Sequence, residues 1–256
     1  MPSPPRFAAL SRALRDEVIE HYERAGKRLD SPAGLRTLDT NSTLAADRGR
    51  LLLRLLAESG CGPVAGRRVL DLGAGFAAVS VYLAHLGAEV VAVDPNEERL
   101  TVGVAVARRF RLPVAAVTAH ADSLPLPDAS FHFVVANNAL CYIVDRRLRR
   151  AALSEVLRVL MPGGWLVTRN PNRLSPVDPF TGLPLLALMP PGVADRCARA
   201  AGRHRSRVRL TTPGEARREL RATGFSPATW RPVPRRRVGS RFARYHHLVA
   251  QRPGSI

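Results

Sequence analysis

The run Val69-Leu70-Asp71-Leu72-Gly73-Ala74-Gly75-Phe76-Ala77-Ala78 constrains this chain more than any other stretch. A short apolar run that stops at glycine reads as a buried strand. The glycines let the backbone turn tightly and come close to a ligand, and a helix is expected from Phe76. In an open sheet, a ligand sits in the crevice beyond the carboxyl end of such a strand, beside the helix N-terminus. Taken alone the spacing also suits a dinucleotide, and a purely structural turn would look the same.

Downstream of this turn the chain repeats the pattern. Strands are expected at Arg68–Leu72, Glu89–Asp94, Val114–Thr118, Phe131–Ala136 and Gly164–Thr168. Helices are expected at Phe76–Leu86, Glu97–Phe110 and Arg147–Leu160, the last with Leu148, Ala152, Val156 and Leu160 on one face. Such alternation implies a parallel sheet with helices on both faces. Before it come two helices, Ala8–Arg24 and Thr43–Ser59, with a loop around Asp30-Ser31-Pro32-Ala33-Gly34. After it, Asn170 to about Arg209 breaks the pattern with prolines and a short apolar patch, Leu183–Met189. A helix over Pro213–Thr223 and strands near Phe225–Val233 and Tyr245–Gln251 close the chain. The expected fold is a Rossmann-like, doubly wound α/β domain with a mostly parallel seven-stranded sheet. It divides into an N-terminal helical cap (1–62), a cofactor-binding core (63–169), an insertion or lid after strand five (170–212) and an Arg-rich closing unit (213–256).

Asp94 ends the second strand, nineteen residues after Gly75. A carboxylate there can accept hydrogen bonds from both ribose hydroxyls of an adenosine ligand. NAD would satisfy it too, and so would a role as cap of the helix beginning near Pro95. Two further motifs separate these options. His120-Ala121-Asp122-Ser123-Leu124-Pro125 places an acid after strand three, with Asp128 before strand four. Met161-Pro162-Gly163-Gly164-Trp165 places a Pro-Gly-Gly turn between a helix and strand five. With these four motifs, residues 67–169 resemble the class I S-adenosylmethionine-dependent methyltransferases, in particular the small-molecule branch of ubiquinone and menaquinone biosynthesis.

The resemblance implies S-adenosyl-L-methionine as cofactor and a set of residue roles. Asp71, Gly73 and Gly75 would hold its methionine end, and Asp94 its ribose. Asp122 would accept from the adenine amino group with Ser123 beside it, and Asn137 would face the methionine and the methyl group. The third glycine common in such turns is replaced by Ala77-Ala78, which bears on the fine shape of the turn. Asn137-Asn138-Ala139-Leu140 is not the Asn/Asp-Pro-Pro-aromatic motif of enzymes that methylate exocyclic amines, and it lacks the Pro-Cys of a cytosine C5 enzyme. The weak candidates for a general base are Tyr142 and His204, with the His246-His247 pair behind them, and none has a spacing that marks it as one. In this fold the segment from Asn170 to Leu185 overhangs the acceptor pocket, as a lid or as a plain proline-rich loop.

Composition bounds the rest. Nearly half of the 256 residues are apolar, enough for one sizeable domain. No apolar run reaches the ~18 residues of a membrane span. Met1–Arg15 has no apolar signal core, which points to the cytoplasm. Cys61, Cys141 and Cys197 form no C-x-x-C pair, so neither a metal site nor a disulfide framework is expected, and the thiols read as buried or pocket-lining. The net charge of +18 is uneven: sixteen arginines against Glu215 and Glu219 between Arg196 and Arg252 leave +14 there and +4 elsewhere. That excess suits an anionic partner, whether a phosphorylated lipid carrier, a membrane surface or RNA. The preference for arginine over lysine is also what a GC-rich genome writes. The leading reading is therefore methyl transfer to a small-molecule, lipid-linked or glycan acceptor. An RNA methyltransferase and a catalytically silent methyltransferase-like partner protein are the alternatives, with a nicotinamide oxidoreductase behind both.

Overall fold

The computed structural model describes residues 4–27, 29–30, 32–203, 207–232 and 243–254. Three helices, α1 (Pro4–Arg24), α2 (Pro32–Asn41) and α3 (Thr43–Glu58), precede the sheet. Then come β1 (Arg68–Leu72), α4 (Ala78–His85), β2 (Glu89–Asp94), α5 (Glu97–Arg109), β3 (Val114–Thr118), β4 (Phe131–Asn137), α6 (Arg146–Val159) and β5 (Leu160–Pro171). The chain continues through α7 (Pro191–Ala200), α8 (Pro213–Thr223), β6 (Ser226–Pro232) and β7 (Tyr245–Gln251).

One sheet runs in the order β3-β2-β1-β4-β5-β7-β6. Strands β1 to β5 pair in parallel, and β7 runs antiparallel to both β5 and β6. The alternation of side chains along each strand builds a core on each face. Leu70, Leu72, Val134, Ala136, Leu166 and Leu248 pack with α6 and α8. Val69, Val90, Phe133, Val135, Val167 and Val249 pack with Leu52, Leu55 and Leu56 of α3 and with Val79 and Leu83 of α4. Leu10, Ala13 and Leu14 of α1 add an outer layer against Val106 and Ala107 of α5. The doubly wound α/β reading therefore holds, with the order reversing between β1 and β4.

Four local expectations are corrected. Pro32–Asn41 is a helix rather than part of a loop, because Pro32 can open a helix at its first turn. Gly34 there lies so close to the Leu29 backbone that a Cβ would collide with it. Pro190 and Pro191 likewise start α7, inside a stretch that the prolines mark as irregular. Helix α4 begins at Ala78 and not at Phe76, since Ala77 holds a left-handed φ of 50° at its N-cap. Leu148, expected on the buried face of α6, is 49% exposed.

Candidate active site

The crevice at the β1–β4 reversal is the mouth of a cleft of about 1560 Å³. Drug-sized ligands fill roughly 300–1,000 Å³, so there is room for more than one small molecule. The floor is the turn after β1. The Gly73 and Ala74 amides both donate to the Val93 carbonyl, at 2.8 and 2.9 Å, which ties the turn to the end of β2. Gly73 has φ +68°, and a Cβ there would collide with Ala139 in the loop after β4, so two chain segments meet over a residue that must be glycine. Gly75 has φ +56° and nothing within 4 Å of where its Cβ would stand, leaving its backbone open to the cleft.

Two carboxylates flank the turn. Asp71, 1% exposed, accepts the Ser80 hydroxyl at 2.6 Å. Burial pushes its carboxyl up to about 6, with the Asp94 charge adding to the rise and the Ser80 bond opposing it. Asp94 accepts from the Gly75 amide through Oδ2 and from the Asn96 amide through Oδ1, both at 2.9 Å. The cap of α5 is Asn96, whose side chain accepts from the Arg99 amide at 2.9 Å. Asp94 is thus not the helix cap; it braces the turn and keeps a face toward the cleft.

Asp122 lines the same cleft from the loop after β3, and Asn137 lines it from the end of β4. The Asn137 Oδ1 is buried without a hydrogen-bond partner. Ser123, expected to act beside Asp122, is exposed and does not line the cleft. Tyr142 lines the cleft, is 56% exposed and meets Phe180 edge-on, with ring centroids 6.2 Å apart. His204 lies outside the described residues. His246 and His247 are buried in β7 and absent from the cleft wall. Burial holds them near 4 and 3, so both are neutral and neither is a base facing the cleft. Among the thiols, Cys141 is buried and pushed up to about 12, and Cys61 up to about 11, by desolvation. Cys197 is exposed, against expectation.

The other end of the cleft holds residues the sequence does not flag. Arg48 of α3, Arg169 of β5 and Tyr245 of β7 line it together with Phe180 and Thr181. Arg169 pairs in register with Asn137, and its guanidinium carbon stands 3.5 Å from the Tyr245 ring centroid. Phe180 and Thr181 are held in place by Asp178, which is 1% exposed. Its Oδ1 accepts from the Phe180 amide, the Thr181 amide and the Thr181 hydroxyl, at 3.0, 2.8 and 2.9 Å. Asn172, also buried, donates to the Ala243 carbonyl at 2.8 Å and accepts from the Leu174 amide at 3.0 Å. The segment after β5 is therefore pinned by buried polar groups at Asn172 and at Asp178.

Residues 70–168 match the profile of the methyltransferase domain. Over those residues the chain is similar to the class I S-adenosylmethionine-dependent methyltransferases. A demethylmenaquinone methyltransferase of Clavibacter sepedonicus is 41% identical over 159 residues, which cover 60% of this chain and 55% of the relative. The chain spans only 40% to 63% of the length of the curated relatives it matches. Among solved structures, the Burkholderia thailandensis 1,6-didemethyltoxoflavin-N1-methyltransferase, with 1,6-didemethyltoxoflavin and S-adenosylhomocysteine bound, superposes with a TM-score of 0.59. It is 22% identical, over 99% of this chain and 92% of that one. The [4+2]-cyclase SpnF superposes at 0.61 with 19% identity, over 84% of this chain and 83% of that one. Both likenesses show the fold, and the second is a reminder that function is argued from the site and not from the fold. Among the described residues, no helix is long and apolar enough to cross a membrane, and no cluster of histidine, cysteine and carboxylates could hold a metal ion.

Proposed function

We propose that this chain transfers a methyl group from S-adenosylmethionine to a small organic acceptor lying beneath the segment after β5. The observation that carries the proposal is the turn at Gly73–Gly75. Its open backbone, the flanking Asp71 and Asp94, and the buried Asn137 oxygen without a partner form a cradle with unused hydrogen-bonding capacity. In this reading Asp71, Gly73 and Gly75 hold the methionine end, Asp94 the ribose and Asp122 the adenine amino group. Asn137 faces the methionine and the methyl group. Bound there, the cofactor supplies a methyl group already activated on a sulfonium.

The protein's part is then mostly alignment. A heteroatom acceptor held in line needs a base only when it is a hydroxyl of high pKa. Tyr142 and Tyr245 line the cleft, and the buried histidines of β7 do not. Residues 1–62 act as a cap on the core, and residues 170–212 as a lid that keeps water from the acceptor. The kinship with a demethylmenaquinone methyltransferase supports a hydroxylated aromatic acceptor. The test is S-adenosylhomocysteine release with a panel of hydroxylated naphthalenes and quinols, alongside glycans and structured RNA. The expected outcome is turnover on a ring compound and none on RNA. Turnover on RNA alone would refute the small-molecule reading.

A further inference from the structure

Arg149, which is buried, and Arg209 and Arg158, which are half-buried, have carboxylate partners. Arg149 pairs with Glu219 at 2.7 Å, Arg209 with the same glutamate at 3.0 Å, and Arg158 with Glu155 at 2.8 Å. Arg48 and Arg169 differ. Both line the cleft, and neither has an ion pair among the described residues. Arg48 donates to two neutral acceptors, the Thr40 carbonyl at 3.2 Å and the Thr40 hydroxyl at 3.4 Å. Asp39, the acid nearest to it in sequence on that wall, is bonded to Arg15 at 3.2 Å. Arg169 lays one face on the Tyr245 ring, while its Nη1 is buried with no hydrogen-bond partner at all. Desolvation lowers both guanidinium groups from their ordinary range, Arg48 to about 10, and each charge adds to the cost of the site because Arg169 acts on Arg48.

A guanidinium left unpaired in a partly dry cleft is costly unless something anionic meets it. Its planar fork of donors matches a carboxylate or a phosphate. The arginines stand on α3 and β5, at the end of the cleft away from Asp94 and Asp122. Arg244, half-buried just before β7, adds a third positive charge to that wall. Beside them the wall turns apolar and accessible: Leu44 is 41% exposed, Val144 37% and Leu148 49%. Arg169 is in register with Asn137, so an anion on it would sit one strand away from the expected methyl position.

We propose that Arg48 and Arg169 form an oxyanion subsite, and that the acceptor is an amphiphile with a carboxylate or phosphate group on an apolar body. This rests on the methyltransferase reading of the same cleft. The arginines take the anionic group, Tyr245 fixes the Arg169 plane, and Leu44, Val144 and Leu148 receive the apolar body. The reactive atom is thereby positioned by binding energy from a group that does not itself react.

The test uses the full chain and four probes: 2-naphthoate, 2-naphthyl phosphate, neutral 2-naphthol and S-adenosylhomocysteine, titrated by calorimetry. The naphthyl probes are run with and without S-adenosylhomocysteine. Expected is at least tenfold tighter binding of one anionic probe than of 2-naphthol, and which probe wins tells carboxylate from phosphate. Arg48→Gln and Arg169→Gln should each abolish that preference and leave S-adenosylhomocysteine affinity within twofold. Arg169→Lys keeps the charge, serves if the glutamine variant does not fold, and should lose at least half of the preference because the fork is gone. Equal binding of the three naphthyl probes to the wild type overturns the proposal. So does a tenfold loss of S-adenosylhomocysteine affinity in either glutamine variant, which would assign the arginines to the cofactor's own carboxylate. Failure of the wild type to bind S-adenosylhomocysteine would count against the methyltransferase reading instead, while the anion preference of the free chain still decides the subsite.

Discussion

At the scale of single residues, Asp71 has the clearest physical cost. A carboxyl raised to about 6 binds its proton more tightly in the folded than in the unfolded chain. Its contribution therefore favours the fold at low pH and is lost as pH rises from about 4 through about 6. Above that window the buried anion costs about 3 kcal/mol at ~1.4 kcal/mol per pKa unit. Asp71→Asn should thus raise apo stability at pH 7.5 by up to about that amount, with little change at pH 4. An asparagine oxygen can still accept the Ser80 hydroxyl. The same variant should bind S-adenosylhomocysteine at least tenfold more weakly, since it no longer offers a charge to the ligand's ammonium. Chemical denaturation at the two pH values, paired with calorimetry, checks both halves. A variant less stable at pH 7.5 would mean that the carboxylate is structural.

At the scale of elements, the segment after β5 depends on Asp178. Three hydrogen bonds converge on one oxygen of a buried carboxylate, and hydrogen bonds to a charged group are worth roughly 1.5–3 kcal/mol each. Asp178→Ala should free the turn that carries Phe180 and Thr181. Amide exchange over residues 176–185 should accelerate, and the acceptor KM should rise, while S-adenosylhomocysteine affinity stays close to wild type. Unchanged exchange in that stretch would show that the hairpin bridge between Val177 and Pro184 holds the turn by itself. The sequence makes the sheet strands legible because a parallel sheet buried on both faces writes itself as short apolar runs ending in Gly or Asp. It hides α2 and α7 because proline marks both a helix start and a break. It hides Arg48, Arg169 and Tyr245 for another reason: they come from three distant elements, and no local spacing records that β7 folds back beside β5. Asp71, Asp94, Asp122 and Asn137 are legible because each lies at or just beyond the end of a strand of one contiguous βαβ series. Ser123 follows its neighbour in sequence but turns out to solvent.

At the scale of the whole molecule, pH and charge act together. His246 and His247 are held near 4 and 3, below the ordinary value, because burial disfavours their charged forms. The unfolded chain takes up protons there first, so their contribution is full above about 6.5 and is lost as pH falls toward 4. Each histidine gives a slope of about 1.4 kcal/mol per pH unit, and together they outweigh the opposite slope of Asp71. Wild-type stability should therefore decline between pH 6.5 and 4. His247→Leu removes a buried Nε2 that has no partner and should leave the profile nearly flat between about 4 and 6. An undiminished slope in that variant would assign the acid transition to other groups. The arginine excess is partly internal. Arg209 pairs with Glu219, and Arg252 donates to the carbonyls of Leu157, Arg158 and Leu160 at the end of α6, where a helix favours positive charge. Arg235, Arg236 and Arg237 lie outside the described residues.

The β1–β4 crevice is held to receive S-adenosylmethionine and not a nicotinamide dinucleotide. Isothermal calorimetry on the purified full chain, titrated separately with S-adenosylhomocysteine and with NAD at pH 7.5, tests this most directly. Saturable 1:1 binding of S-adenosylhomocysteine at micromolar or lower concentration is expected, with NAD at least a hundredfold weaker. Tight NAD binding with no heat from S-adenosylhomocysteine would contradict it.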